Sequence, residues 1–134
     1  MTFDSFNGAK IDVQASGGFA GLSTHYLVSH DDRAFLFTSR RLCDTNCGAA
    51  IDSTSGTLSG AAADSLFNIV LSQDPFNLKD DYGPTRGGAD MFDYTVRITA
   101  DGRTKSVHFD DGTMPEAMRR ILEGVRGTVS GARK

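Results

Sequence analysis

The 134-residue chain has no excess of positive charge, no long apolar run and only two cysteines. Each shortage removes a class of function. Lys and Arg number 14 against 17 Asp and Glu, for a formal net charge of −3. Nucleic-acid binders present a basic face, whereas the basic residues here form only short pairs such as Arg40 with Arg41 and Arg119 with Arg120. Neither nucleic acid nor an anionic membrane surface is an expected partner. No apolar stretch approaches the roughly 18 to 20 residues needed to cross a bilayer as a helix. Residues 1–9, MTFDSFNGA, have neither a basic start nor an apolar centre and do not read as a secretory signal. The expectation is a cytoplasmic protein, or a numbering that follows a processed chain.

The two cysteines, Cys43 and Cys47, lie in CDTNCG. A disulfide between them would close a very short loop and add at most about 2 kcal/mol. Two free thiols are the other reading. A zinc site needs four ligands, and no second cysteine pair exists to complete one. No metal and no cofactor is expected.

Catalytic patterns are missing too. There is no G-x-S-x-G elbow, and neither cysteine sits in a recognisable protease context. His25 and His108 fall in strand patterns, where packing is the ordinary role. The acidic pairs Asp31 and Asp32, Asp80 and Asp81, and Asp110 and Asp111 fall in turns. Turn aspartates usually accept backbone hydrogen bonds, and no EF-hand spacing surrounds them. No catalytic residue is assigned, and the chain does not read as an enzyme.

What the chain does have is alternation. Residues 10–15, KIDVQA, place Ile11 and Val13 on one side and Asp12 and Gln14 on the other, the mark of a half-buried strand. STHYLVS and AFLFTSR read as two more strands around an HDDR turn. Residues 40–60 are small, polar and aperiodic, and read as a long surface loop. Ser59 then caps a helix with the stripe Ala63, Leu66, Phe67 and Val70, stopped by Pro75. Phe76 and Leu78 are expected to fold back onto the core.

Residues 79–90 form a second polar loop with its own Gly87-Gly88 pair. Phe92, Tyr94, Val96 and Ile98 give the clearest strand, and Asp101-Gly102 is a two-residue hairpin turn. The return strand turns Val107 and Phe109 inward. Thr113 and Glu116 have capping-box spacing, with Pro115 in the first turn. Met118, Ile121, Leu122 and Val125 stripe the last helix, which Gly127 is expected to end. The order βββ-α-ββ-α predicts an α+β fold: an antiparallel sheet of about five strands with two helices on one face. A flexible lead (1–9), one domain (10–127) and a disordered tail (128–134) complete the expected organisation.

The stretch SGGFAGL, residues 16–22, sets three glycines around Phe19. A phosphate loop would need a helix after it and a Lys-Ser/Thr ending; a strand follows instead. Two readings stay open. The glycines make a turn with Phe19 buried as a plug, or they make a lean loop that presents Phe19 to a partner.

Four stretches together resemble the emfourin family: IDVQASGGFAGL, ADSLFNIVLSQDPFNL, GGADMFDYTVRITADGRTKSVHF and MPEAMRRILEGV. The resemblance spans most of residues 10–125. It departs from shorter family members in residues 40–60, with their two cysteines, and in the lead. Emfourins are small protein inhibitors of thermolysin-like zinc metalloproteases, so the resemblance implies an α+β fold and such a protease as partner. It implies a monomer when free, entering the partner's cleft through glycine-rich loops. A cleft inhibitor needs an apolar anchor, a lean backbone and a donor for the zinc or nearby polar groups. The expected contact residues are Ser16, Gly17, Gly18, Phe19, Ala20, Gly21, Leu58, Gly87, Gly88, Asp90 and Met91, with Asp80 and Asp31 as alternatives to Asp90 for the carboxylate. A non-inhibitory protein- or ligand-binding module of the same fold is the alternative. A metal sensor using Cys43, Cys47 and a histidine is a third.

Overall fold

The alternation in residues 10–15 becomes strand β1, Lys10–Gly17, with Ile11, Val13 and Ala15 buried. A computed structural model describes residues 8–17, 22–41, 50–83 and 92–132. After β1 come β2 (Leu22–Ser29), β3 (Ala34–Arg41), β4 (Ala50–Thr57), α1 (Gly60–Ser72), a 3-10 turn (Pro75–Asn77), β5 (Phe92–Ala100), β6 (Arg103–Asp110) and α2 (Glu116–Ala132). The strands form one six-stranded sheet in the order β4-β3-β2-β1-β5-β6. Every neighbouring pair is antiparallel. The fold is α+β, and among the described residues no helix is long and apolar enough to cross a membrane.

Cross-strand register builds the core face. Ile11 pairs with Val28 on one side and Ile98 on the other, and Val13 with Tyr26 and Val96. Phe109 lies opposite Tyr94, their rings stacked at 5.3 Å. Ala63, Leu66, Phe67, Val70 and Leu71 of α1 join this core with Met118, Ile121, Leu122, Val125 and Val129 of α2. A Cβ on Gly124 would stand 3.3 Å from Leu66 Cδ1, so the glycine lets the two helices approach closely. Phe76 and Leu78 pack against the core as expected. The opposite sheet face carries Asp12, Gln14, His25, Thr38, Thr95, Arg97 and His108, in alternation with the core residues.

The sheet has six strands rather than about five, because β4 lies inside the expected surface loop of residues 40–60. Its residues show no apolar alternation, for a physical reason. Thr54 and Gly56 lie opposite Phe37 and Phe35. A Cβ on Gly56 would sit 2.9 Å from the Phe35 ring, so the aromatic side chain from β3 occupies the space that an apolar residue of β4 would fill. Leu58 follows β4 directly. Its N–H donates to the Arg33 carbonyl at 2.6 Å, and its side chain is 4% exposed in the core. It serves packing, which corrects its expected place among the contact residues.

Both ends of the expected domain also shift. Ala9 is buried, its carbonyl accepts from His30 N–H at 2.9 Å, and Gly8 N–H donates to Asp31. Residues 8 and 9 of the expected lead are therefore held in the fold; residues 1–7 lie outside the described residues. Helix α2 runs through Gly127 to Ala132, and Val129 is buried. Burial of apolar surface in that turn outweighs the roughly 1 kcal/mol helix penalty of glycine. The tail is thus helical as far as residue 132.

Two turn expectations divide. Asp101 and Gly102 have φ of +52° and +76°, the pair of positive values that a two-residue hairpin of this hand requires. The Thr113 capping box does not form. The Thr113 hydroxyl instead accepts from Asp110 N–H and donates to the Gly83 carbonyl. Glu116 pairs with Arg119 and Arg120, which hold its carboxyl down to about 2. At α1, by contrast, Ser59 Oγ accepts from Ala62 N–H at 3.1 Å. Ser59→Ala is expected to lower stability by about 1 kcal/mol, read as a lower urea midpoint at unchanged slope.

Candidate partner-binding end of the sheet

Strand register brings distant pieces of sequence to one end of the sheet. Gly17, the last residue of β1, pairs with Leu22 on β2 and with Phe92 on β5. Leu22 pairs in turn with Arg41, and Arg40 with Ala50. On the other side Asp93 faces Asp110. With strands about 4.8 Å apart, the whole row spans roughly 24 Å. From it the chain departs into residues 18–21 and 42–49, and to it the chain returns after residues 84–91.

The described part of this end is held firmly. Gly17 has φ of +127°, a backbone that L side chains rarely adopt, so glycine is required where β1 ends. Ser16 is half-buried and lies between Ser23 and Asp93. Phe92 donates its N–H to Asp111 Oδ2 at 2.9 Å and accepts from Asp111 N–H at 3.2 Å. Asp110, 7% exposed, accepts from the N–H groups of Gly112 and Thr113 at 2.8 and 3.0 Å. That turn carries Thr113 to its bond with the Gly83 carbonyl.

The segment before residues 84–91 is attached to the β6 edge. His108 N–H donates to the Asp80 carbonyl at 2.8 Å, and Tyr82 N–H donates to the His108 carbonyl at 2.9 Å. Asp81 therefore forms a parallel bridge with His108. The side chains add to this: His108 Nδ1 lies 3.0 Å from Asp81 and Nε2 lies 2.6 Å from Asp93. The Asp81 bond, with Asp93 adding to it, pushes the His108 imidazole above its ordinary value against an opposing effect of burial. The same bond, helped by Gly83 N–H, lowers the Asp81 carboxyl. The two carboxylates engage opposite ring nitrogens, so the three groups do not converge on a common point. Among the described residues no group of three or more His, Cys, Asp or Glu is placed to hold a metal ion.

Of the expected contact residues, Ser16 and Gly17 stand at this end. Gly18, Phe19, Ala20, Gly21, Gly87, Gly88, Asp90 and Met91 lie outside the described residues, as do Cys43 and Cys47. Leu58 follows the far end of β4. Asp31 is also at the far end, bound to Gly8 N–H at 2.8 Å. Asp80 is engaged by Lys105 Nζ at 2.5 Å. Sequence reasoning missed Asp81, Asp93 and His108 as a unit. Their only signal was a strand histidine and two separate aspartates.

The model of the emfourin family matches residues 48–126. The chain belongs to the emfourin family. In this emfourin the match runs from the approach to β4 through most of α2, and takes in α1, β5 and β6. The central strand β1 and the glycine-rich stretch after it fall before the matched region. Gly87, Gly88, Asp90 and Met91 fall within it. A search of curated proteins gives no match.

Proposed function

We propose that this emfourin is a reversible inhibitor of a thermolysin-like zinc metalloprotease. It acts as a monomer and enters the partner's cleft with the end of the sheet where β1, β2 and β5 meet. The observation that carries this reading is the double pairing of Gly17 with Leu22 and Phe92. Residues 18–21 and 84–91 are far apart in sequence, yet they attach to neighbouring strands and can address one cleft together. Phe19 is assigned the apolar anchor, and its flanking glycines allow another backbone to come close. Gly87, Gly88 and Met91 provide the second lean segment. Asp90 is assigned the oxygen donor for the partner's zinc, since Asp31 stands at the far end and Asp80 is paired with Lys105. Rigid strands hold the two segments, and no bond in either protein is made or broken.

Titration of a thermolysin-like metalloprotease with the purified chain tests this. Protease activity should fall linearly to complete loss at one-to-one stoichiometry, with the emfourin chain intact by mass afterwards. A serine protease should be unaffected. Full metalloprotease activity at micromolar emfourin, across several such enzymes, would favour a non-inhibitory binding module of the same fold.

A further inference from the structure

We propose that His108 is a positioning residue for the binding end: it ties Asp81 to Asp93 and so sets the spacing between the two points where residues 84–91 join the sheet, in a manner that depends on its proton. The positioning role rests on the inhibitor reading above; the tie itself does not. The geometry is specific. Nδ1 meets Asp81 Oδ1 at 3.0 Å and Nε2 meets Asp93 Oδ1 at 2.6 Å. A neutral imidazole has one N–H and can donate to only one carboxylate; its other nitrogen then opposes an acceptor with a lone pair. Only the imidazolium satisfies both.

The surroundings favour that charged form. From the edge segment Asp81 faces His108, while the Asp80 carboxylate is taken by Lys105. From β5 come Asp93 and Arg97, with uncharged Thr95 directly across. From β6 itself comes Asp110, held by the N–H groups of Gly112 and Thr113. Arg97 directs its Nε to Ser106 at 3.3 Å. Two carboxylates thus engage the ring, one at each nitrogen. Each end of the tie is also braced. Asp81 accepts from Gly83 N–H at 2.7 Å, the Gly83 carbonyl accepts from Thr113, and Phe92 beside Asp93 is held by Asp111.

The sign of the pH dependence follows. The folded His108 value lies above the ordinary 6.5, so the tie is complete below 6.5 and is lost as pH rises through the folded value. The folded Asp81 value lies below the ordinary 3.8, so its share is present above 3.8 and is lost as pH falls through the folded value. The tie therefore holds from below the ordinary aspartate value up to above the ordinary histidine value.

Two measurements on the full chain test this. In an NMR pH titration, His108 should titrate above 6.5, and the amides of Gly83 and Asp93 should move with the same midpoint. Asp81→Asn should lower that midpoint, and His108→Gln should abolish the shared movement. In inhibition assays across the same range, the affinity ratio of wild type to His108→Gln should fall by about fivefold as pH rises through the midpoint. The protease's own pH dependence cancels in that ratio. A midpoint at or below 6.5, or amides that ignore it, would overturn the tie whatever the protease does. A shared midpoint with a flat ratio would overturn the positioning role. A wild type that inhibits nothing would overturn the inhibitor reading and the positioning role together, while the NMR midpoints still decide the tie.

Discussion

Phe109→Ala should remove a large part of the stability of this emfourin, about 3–5 kcal/mol. A chain of this size has only about 5–15 kcal/mol in total. Phe109 is 0% exposed, and its ring stacks on Tyr94 beneath the proposed binding end of the sheet. The truncation removes the ring's burial and leaves a cavity between β5 and β6 and the helices covering them. Val96 and Val107, on the same face of β5 and β6, are already fully enclosed and cannot readily close it. Urea unfolding followed by circular dichroism gives the measure: a much lower midpoint at unchanged slope. A loss under about 1 kcal/mol would mean that this layer is not packed as described.

Phe19→Ala should have the largest effect on inhibition, and it separates the two roles open to this residue. If Phe19 is the apolar anchor, its loss costs about 2–4 kcal/mol of binding, a rise in inhibition constant of roughly 30- to 900-fold. The unfolding midpoint should then stay where it is. If Phe19 is a plug beneath the turn, the midpoint falls and inhibition follows only as far as the folded fraction does. The two effects are measured on the same variant, so neither outcome can be mistaken for the other.

Much of the fold could be read from residue order, and the exceptions share a cause. β1, β2, β3, β5 and β6 alternate because each of these strands turns one face to the helices and the other away from them. β4 does not alternate, because Phe35 and Phe37 of its neighbour supply the apolar material over Thr54 and Gly56. Gly127 signals a helix end by local preference, and the burial of Val129 overrides it. Thr113 and Glu116 have the spacing of a capping box, but each finds a stronger partner elsewhere. In every case a tertiary or side-chain pairing decided the outcome, and a linear reading does not display such pairings.

The candidate site divides in the same way. Glycine-rich stretches can be recognised one at a time, but that the strands flanking them are neighbours depends on β1 pairing with β5 across some eighty residues, which no local pattern encodes. The β5–β6 hairpin brings Asp93 beside His108, and the bridge from Asp81 to β6 converts two unremarkable aspartates and a strand histidine into one connected group. Leu58 shows the converse: an apolar residue in a polar stretch looked available and is instead part of the core.

The most direct test is a map of the emfourin amides perturbed by a bound thermolysin-like metalloprotease, its zinc in place. Shifts or line broadening should gather at Ser16, Gly17, Leu22, Arg41, Gly83 and Phe92, while Asp31, Ser59 and Gly102 at the opposite end remain as in the free protein. Perturbation centred on that opposite end or along the helices, or no perturbation at equimolar protease, would contradict the account.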